Sequence, residues 1–368
     1  MRAIGLMSGT SLRGVDIALI ETDGEAISAC GPTGHRAYSR AEQGVLQQAL
    51  AEAAQLTDRT ARPGVLVEAE TLVTRTHTEA LAAFVAAHDI RLADVDVVGF
   101  HGQTVLHRPC SHLTVQIGDG KAIARRCNIK VAYDFRASDV EAGGRGAPLV
   151  PVFHCAMTAA LDRPRPVAVL NVGGIATVTC CDGADTLLAS DVGPGNALID
   201  DFMRAHTGRG LEDRGIMASR GRPNADFLAR VLRDAFFAAP LPKSLDRDAF
   251  ALASLKLPAC SLADGAATLS ALTAAAVGRI VPLLPSVPMT WIVAGGGARN
   301  RALIRFLVEA LAPAKVATAD QIGWSADALE AQAVAYLAVR TLRGLPLTFP
   351  TTTGAPKPMV GGLIAHPF

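Results

Sequence analysis

Three stretches of the sequence combine small residues with hydroxyl or amide groups directly after an apolar run. They begin at Ser8 in SGTSLRG, at Asn171 in NVGG and at Gly295 in GGGARN. Small side chains let backbone N–H groups approach a phosphate closely, and a following helix N-terminus favours an anion. Taken singly, each stretch is also compatible with an ordinary tight turn. Together they favour a nucleotide site, and since no GxxxxGK[ST] occurs, the chain is not a P-loop NTPase.

Asp191 is the strongest candidate for proton transfer. It stands between a short apolar stretch and Gly193-Pro-Gly195. This pattern predicts that Asp191 is held on a turn just before a helix. A carboxylate fixed in this way can accept a proton from water or from a hydroxyl group during phosphoryl transfer. The competing interpretation is that Asp191 only starts the turn, as aspartate often does.

A second group of polar residues could bind the hydroxyl groups of a sugar. Polar side chains just past a strand's carboxyl end lie where open α/β sheets bind ligands. A single histidine is more often structural, a run of charges is usually solvated, and a helical glutamate is often simply exposed. His101 and Gln103 are the candidates for sugar hydroxyl groups. Asp134 and Arg136 belong to a charged cluster after a strand, and Glu330 lies on the face of a predicted helix.

The elements that must position these residues follow a repeated order. The stretch 4–20 predicts strand, small-residue turn and strand, and the stretch 167–179 repeats that order. Helical patterns alternate with strands around both. We therefore expect two similar α/β domains facing each other across a cleft, residues 1–140 and 141–368. The C-terminal tail, predicted irregular from Pro346 onward, is free to pack back on the first domain.

Composition excludes several classes of function. Of the 368 residues, 50% are hydrophobic and 19% are charged, and the formal net charge is +1. This balance predicts a globular protein without the basic field that attracts nucleic acid. No stretch has the order of a signal peptide, no apolar run predicts a membrane span, and the seven cysteines lack zinc spacing. We expect a cytoplasmic protein that acts on a small molecule.

As a collinear set, these motifs are far more specific than any single glycine turn. The chain resembles, over essentially its full length, the anhydro-N-acetylmuramic acid kinases of bacterial cell-wall recycling. The motifs that carry the resemblance are GLMSGTS and GVD near the start, HGQT at His101, QIGDG at Gln116, DFR at Asp134, GAPLVP at Gly146, NVGGIA at Asn171, D-x-GPGN at Asp191, DRG at Asp213, LPKS at Leu241, DGAATLSALTA at Asp264, GGGARN at Gly295, D-x-x-EA at Asp327 and TGAP near Gly354.

The resemblance implies a fold and a reaction. The fold is the two-domain sugar kinase, Hsp70 and actin-like fold, a duplicated ribonuclease H-like architecture with an interdomain cleft. The reaction uses ATP and a divalent metal, Mg²⁺, opens the 1,6-anhydro bridge of the amino sugar and phosphorylates O6. Asp191 matches the family's general base, which activates the water that attacks the anomeric carbon. A homodimer is also implied.

The resemblance also assigns candidate ligand-binding residues. His101, Gln103, Asp134, Arg136 and Glu330 are candidates for the sugar, and Asp16 for the metal. The candidates for ATP and its phosphates are Gly9, Thr10, Ser11, Leu12, Arg13, Gly14, Val15, Asp16, Asn171, Gly173, Gly174, Gly193, Gly195, Asn196, Gly296, Gly297 and Asn300.

Arg13 is the main departure from the family pattern, which has an aspartate at this position. A guanidinium in place of a carboxylate reverses the local charge and weakens a site for Mg²⁺, which prefers oxygen ligands. Arginine can instead contact phosphates directly. Two alternatives therefore remain beside the leading hypothesis: a conventional kinase acting on a free C6 hydroxyl, and a non-catalytic relative that only binds sugar or nucleotide.

Overall fold

The chain folds into two compact units. The structure, a computed structural model, describes residues 1–182, 187–208, 214–245 and 247–368. Unit 1 contains Met1–Ala160 and Asp327–Phe368, and unit 2 contains Leu161–Ala326. The predicted boundary after residue 140 therefore falls inside unit 1. One reason is that the ring of Phe153 packs edge-on against the ring of Tyr336, 5.8 Å away, which ties the segment after residue 140 to the C-terminal segment.

The described residues form these strands: β1 (Arg2–Met7), β2 (Gly14–Thr22), β3 (Ile27–Ala37), β4 (Val97–Phe100), β5 (Gln103–Arg108), β6 (Leu113–Ile117), β7 (Val131–Tyr133), β8 (Val167–Val172), β9 (Ile175–Cys181), β10 (Leu187–Pro194), β11 (Thr290–Ala294), β12 (Lys315–Thr318) and β13 (Leu363–Ala365). Their α-helices are α1 (Arg40–Ala53), α2 (Leu66–Ala87), α3 (Gly120–Cys127), α4 (Ala137–Glu141), α5 (Pro151–Ala159), α6 (Asn196–Thr207), α7 (Ala225–Val231), α8 (Ala235–Ala238), α9 (Leu252–Leu255), α10 (Leu262–Ile280), α11 (Arg301–Leu311) and α12 (Leu329–Leu342).

Each unit is built on one main sheet, and the two sheets have the same internal order. In unit 1 the order is β13-β7-β4-β1-β2-β3, and in unit 2 it is β10-β9-β8-β11-β12. In both, three strands form an antiparallel meander, a fourth strand pairs in parallel with the first strand of the meander, and a fifth pairs in parallel with the fourth. Unit 1 has one further strand, β13, which pairs antiparallel with β7 at the edge of its sheet. This repetition confirms the predicted α/β class with duplicated halves.

The core of unit 1 depends on close contact between its sheet and α12. A Cβ atom added to Gly5 on β1 would lie 1.9 Å from the carbonyl oxygen of Ala331. One added to Gly99 on β4 would lie 2.4 Å from the carbonyl oxygen of Val334. Glycine at both positions therefore lets the helix backbone rest directly on the sheet. Helix α12 also packs against β2.

The core of unit 2 surrounds α10. This helix is apolar on most of its surface because it is buried on several sides, among residues such as Phe202, Trp291 and Leu303. Among the described residues, one helical span, Leu262–Leu283, is long and apolar enough to cross a membrane, and 67% of its apolar window is buried inside the protein.

Two expectations about local structure are corrected. The segment after Pro346 is not irregular throughout, because Leu363–Ala365 forms β13 and pairs antiparallel with β7. Asp191 does not lie on a turn. It lies within β10, where the pairing with β9 shifts register between Asp191 and Gly193.

Candidate active site

Asp191 is positioned by the antiparallel pairing of β9 and β10. Thr177 on β9 is its register partner, so the two side chains project from the same face of the sheet. Thr177 Oγ1 donates a hydrogen bond to Asp191 Oδ1 at 2.9 Å. The local sequence favours this arrangement, since β-branched residues fill β9 while the small residues beyond Asp191 permit the register shift.

The second carboxylate oxygen of Asp191 is held by a different segment. The backbone N–H of Leu245 donates to Asp191 Oδ2 at 2.8 Å, and Ser244 Oγ donates at 3.3 Å. The backbone N–H of Asp191 in turn donates to the carbonyl of Lys243 at 3.0 Å. Hydrogen bonds to both oxygens and to the backbone fix the direction of the carboxylate, as a general base requires.

Sequence reasoning gave no role to the residues that hold this carboxylate. Thr177 lies just beyond the NVGGIA motif, and the LPKS motif at Leu241 carries no predicted function. A strand assignment for residue 191 would have revealed Thr177, because antiparallel register then sets the two opposite each other. The contact with Ser244 and Leu245 has no local signal, because it joins residues more than fifty positions apart.

The glycine turn of unit 1 joins β1 to β2. The backbone N–H of Leu12 donates to the carbonyl of Gly9 at 3.1 Å and closes the turn, and Leu12 has a φ of 54°. Thr10 and Ser11 are exposed, and their backbone N–H groups find no acceptor among the described residues. Free N–H groups and hydroxyl groups on an exposed tight turn can bind phosphate oxygens.

The predicted phosphate stretch extends further along the chain than this turn does. Gly14, Val15 and Asp16 lie in β2 rather than in the turn. Val15 is fully buried in the core, and its side chain packs there. Arg13, in contrast, is exposed at the end of the turn. The geometry therefore favours Gly9 to Arg13 for phosphate contacts.

In unit 2 the turn at Gly173 and Gly174 is bonded to the start of α6. The backbone N–H of Asn196 donates to the carbonyl of Gly173 at 2.7 Å, and that of Gly195 to the carbonyl of Gly174 at 2.9 Å. A Cβ atom added to Gly195 would lie 2.4 Å from the carbonyl of Gly173. The N–H groups of Gly195 and Asn196 already donate to carbonyls of the protein, so other donors would have to bind a ligand at this turn.

The third glycine run lies beside that turn. Gly295 has a φ of +75°, and a Cβ atom added there would lie 2.4 Å from Asn171 Oδ1. One added to Gly296 would lie 3.2 Å from Asn196 Nδ2. Asn171, Asn196 and Gly295 to Gly297 therefore form one cluster at the ends of β8 and β11. The fold thus brings two of the three glycine stretches together.

Two of the predicted nucleotide residues have structural tasks in the described part of the chain. Asn300 is buried, its Oδ1 accepts from the N–H of Leu303 at 3.0 Å, and it caps α11. Gly193 lies where an added Cβ atom would come within 2.9 Å of Ala276 on α10, so it allows β10 to pack on that helix. Neither contact offers a polar group to a nucleotide.

In unit 1, His101 and Gln103 lie beside the glycine turn. Gln103 is fully buried and its Nε2 donates to the carbonyl of Gly9 at 3.4 Å, while Ser8 Oγ donates to the carbonyl of Gly102 at 3.3 Å. These bonds connect the HGQT segment to the predicted phosphate turn. The structure therefore places a predicted sugar segment next to a predicted phosphate segment.

His101 is neutral and supports Arg136. Burial, and then the charge of Arg136, lower the pKa of His101 to about 3. Its Nδ1 lies 2.9 Å from the carbonyl of Gly102, so Nδ1 carries the proton and Nε2 accepts from Arg136 Nη2 at 2.9 Å. Arg136 Nη1 also donates to the carbonyl of Gly146 at 2.6 Å. His101 is therefore a positioning residue and not a proton donor or acceptor at neutral pH.

Arg136 and Glu330 carry opposite charges, and each affects the pKa of the other. Burial lowers the pKa of Arg136 to about 10, while the charges of Glu330 and Asp139 oppose that shift, so Arg136 stays protonated at neutral pH. Surrounding protein, and then the charge of Asp16, raise the pKa of Glu330, although its side chain remains open to solvent. Because the side chain of Glu330 is exposed, we expect solvent to limit this upward shift of its pKa.

Asp134 is committed to an ion pair. Its Oδ2 accepts from Arg59 Nη2 at 2.5 Å, and its other carboxylate oxygen is buried without a hydrogen-bond partner. Asp134 has a φ of 57°, which is unusual for a residue other than glycine. Burial raises the pKa of its carboxyl group, and Arg59 opposes that shift.

Asp16 is the predicted metal-binding residue. Its Oδ1 lies 2.7 Å from His35 Nδ1. Among the described residues, no group of three or more histidine, cysteine or acidic side chains is placed to hold a metal ion. Asp213, from the DRG motif, lies outside the described residues.

Comparison with known proteins identifies the family. The model of the family described as anhydro-N-acetylmuramic acid kinase matches residues 1–367. The chain belongs to this family. An anhydro-N-acetylmuramic acid kinase of Nitrobacter winogradskyi is 58% identical over 367 residues, and one of Rhodopseudomonas palustris is 59% identical, each over the full length of both chains. The predicted family is confirmed, and the protein is a kinase of this family.

Two solved structures resemble the chain distantly. A xyloylose kinase from Brucella ovis gives a TM-score of 0.47 at 9% identity, covering 100% of this chain and 95% of that one. A glucokinase of the ROK family from Streptomyces griseus, in complex with glucose and AMPPNP, gives 0.40 at 14% identity, covering 92% and 99%. Likeness at this level carries no argument about this chain.

Proposed function

We propose that this kinase opens the 1,6-anhydro ring of 1,6-anhydro-N-acetylmuramic acid and phosphorylates O6 with ATP. The products are N-acetylmuramate 6-phosphate and ADP, and the role is recycling of peptidoglycan. Family membership supports the substrate. The observation that carries the proposal is Asp191, whose two carboxylate oxygens are each held by hydrogen bonds while the chain keeps the glycine turns that suit a nucleotide.

Asp191 acts as the general base. It takes a proton from water as the water oxygen bonds to the anomeric carbon C1. The bond between C1 and O6 breaks, and its electron pair goes to O6. O6 then attacks the γ-phosphorus of ATP, and the bond to the β-phosphate oxygen breaks to release ADP. Both steps depend on orientation, which is why the base is fixed by three donors.

The glycine turn of unit 1 binds phosphate in this proposal. The N–H groups of Thr10 and Ser11 and their hydroxyl groups supply donors, and Arg13 at the end of the turn adds a positive charge. The cluster of Asn171, Asn196 and Gly295 to Gly297 in unit 2 supports nucleotide binding through its small residues and amides.

The sugar is bound by the residues around Arg136. His101 holds the guanidinium in place without competing for its charge, because His101 is neutral. Glu330, open to solvent near Arg136, is available to accept from sugar hydroxyl groups. Asp134 contributes through its pairing with Arg59 rather than by a free carboxylate.

Mg²⁺ accompanies ATP in this proposal. Asp16 is the proposed ligand, since the charge of its carboxylate raises the pKa of Glu330, and a cation held at Asp16 would relieve that repulsion. One carboxylate is enough because Mg²⁺ usually completes its coordination with phosphate oxygens and water. When bound, Mg²⁺ offsets the negative charge of the phosphates. We also propose that the protein is cytoplasmic, as its sequence predicts, and that it forms a homodimer, as the family resemblance implies.

The decisive experiment compares the wild type with Asp191→Asn. ADP release is coupled to a spectrophotometric signal, and the sugar phosphate is identified by mass spectrometry. We expect ADP and the 6-phosphate to form together from the anhydro-sugar, and the variant to lose about 10²–10⁴-fold in kcat, the usual worth of a general base.

The same assay decides between the alternatives. Preference for the ring-opened sugar over the anhydro-sugar would identify a conventional C6-hydroxyl kinase. Absence of ADP release with either sugar, with both ligands still binding, would identify a non-catalytic relative, which Arg13 favours. Ordinary turnover by Asp191→Asn would show that another residue is the base.

A further inference from the structure

Lys243 is a buried lysine to which the proposed reaction assigns no task. It is 7% exposed, and burial lowers the pKa of its ammonium. Its Nζ donates to the carbonyls of Phe236 at 2.7 Å and Phe237 at 3.2 Å, and lies 4.7 Å from the centroid of the Phe236 ring. None of the ion pairs formed among the described residues involves Lys243. A buried ammonium is costly, so these carbonyls are its compensation.

The carbonyls that bind Lys243 are at the end of a short helix. Phe236 and Phe237 belong to α8, which spans only Ala235–Ala238. The last carbonyls of a helix have no partner within it, and a lysine can satisfy them. An apolar side chain of similar length would fill the same space, but it could not bind these carbonyls. The ammonium therefore attaches the residue-243 backbone to α8.

The backbone of Lys243 is attached in turn to the strand that carries the base. The N–H of Asp191 donates to the carbonyl of Lys243 at 3.0 Å, and the N–H of Lys243 donates to Ser190 Oγ at 2.9 Å. The next two residues, Ser244 and Leu245, supply the donors to Asp191 Oδ2. Lys243 thus lies between α8 and the two donors, the Ser244 hydroxyl and the Leu245 N–H, that reach this oxygen.

We propose that Lys243 is a positioning residue for Asp191. By fixing residues 243–245 to the end of α8, it keeps the Leu245 N–H and the Ser244 hydroxyl aimed at the carboxylate. The inference rests on Asp191 being the base of the proposed function, and it adds a residue outside the set that contacts ATP or sugar.

The test replaces Lys243 by methionine, which has a similar length but no charge or donor. We expect kcat to fall about 10- to 100-fold, which does not exceed the loss expected when the general base itself is removed. The KM values for ATP and for the sugar should change little. Losing donors to a charged carboxylate favours its protonated form, so the acid limb of the kcat profile should move about one pH unit upward. Lys243→Arg keeps the charge and the donors and should restore both values towards the wild type.

The matched control is Lys315→Met, the same change at an exposed lysine of unit 2. It should leave kcat and the acid limb unchanged. If Lys243→Met lowers kcat but leaves the acid limb where it is, the lysine is merely structural and the proposal is wrong. If Lys243→Met does not fold, as judged by circular dichroism, Lys243→Arg decides: a wild-type acid limb supports the proposal, and a shifted limb overturns it.

A measurement without turnover separates this inference from the proposed function. The carboxyl ¹³C signal of Asp191, assigned by its loss in Asp191→Asn, is titrated by NMR in the wild type and in the Lys243 variants. A midpoint that is higher in Lys243→Met supports positioning even if the wild type proves inactive on the anhydro-sugar. Equal midpoints overturn the positioning role whether or not the protein is the proposed kinase.

Discussion

At the scale of single residues, burial lowers the pKa of two histidines in unit 1, His77 and His101. His77 is fully buried on α2, its Nδ1 lies 2.7 Å from the carbonyl of Val73, and its Nε2 has no partner. Burial lowers the pKa of His77 to about 4. His101 is neutral for the same reason. These rings therefore stay uncharged in the folded protein at pH values where an unfolded chain binds protons.

This difference predicts a loss of stability in mild acid. Between pH 7 and pH 5 the unfolded chain protonates His77 near its ordinary value of 6.5, while the folded protein does not. Because the unfolded state binds more protons, the free energy of unfolding falls as pH falls, by roughly 2 kcal/mol for such a residue. Urea unfolding at the two pH values measures it.

Variants of single histidines test the assignment. His77→Gln should lower the pH dependence by about that amount, since its amide does not titrate. His366→Gln, the same change at an exposed histidine, should leave the pH dependence as in the wild type. Equal pH dependence in all three proteins would mean that His77 titrates normally when folded.

At the scale of elements, the contact between α12 and the sheet of unit 1 is set by backbone rather than by side chains. Gly5 on β1 faces the carbonyl of Ala331 so closely that no Cβ atom fits. Neither backbone can move aside without breaking hydrogen bonds, because β1 is bonded to its neighbours in the sheet and α12 is bonded within the helix.

We therefore expect Gly5→Ala to destabilise unit 1 by about 3 kcal/mol or more, at the upper end for overpacking. The matched control is Gly44→Ala on α1, where an added Cβ atom meets nothing within 4 Å. Alanine favours a helix over glycine, so this control should gain up to about 1 kcal/mol. Chemical unfolding followed by circular dichroism measures both. Similar effects of the two substitutions would contradict the close approach of α12 to β1.

At the scale of the whole molecule, the chain leaves unit 1 at residue 160 and returns to it at residue 327. The returning segment supplies α12, which is buried along most of its length, and β13, which pairs with β7. Unit 1 is thus complete only after the last part of the chain has been made.

A chain that ends at Ala326 should therefore fail to fold unit 1. Without α12 the sheet exposes the apolar face around β1, β2 and β4, and the burial that offsets conformational entropy is lost. Limited proteolysis should degrade residues 1–160 rapidly. A chain that ends at His366 loses only the half-buried Pro367 and the exposed Phe368, and it should resist as the full chain does. Resistance of the shorter chain would show that α12 is dispensable.

Local pattern was enough for the elements with strong periodicity or clear caps. The hairpin that opens the chain, its repetition at β8 and β9, and the helix capped by Asp119 all follow from nearby residues. Hydrophobic alternation and capping act over a few positions, so sequence alone determined the α/β class and its duplication. The motifs in their order also determined the family.

Only the tertiary structure decided how the candidate residues are supported. Asp191 lies in a strand because β9 supplies its pairing partners, and its second oxygen is held from Leu245, fifty-four positions away. His101 is neutral because burial and Arg136 make it so, which no histidine reveals in sequence. The glycine-turn stretch that looked uniform from Gly9 to Asp16 divides into an exposed turn and a buried strand. Hydrogen bonds and burial between distant residues set these properties, and local sequence does not encode them.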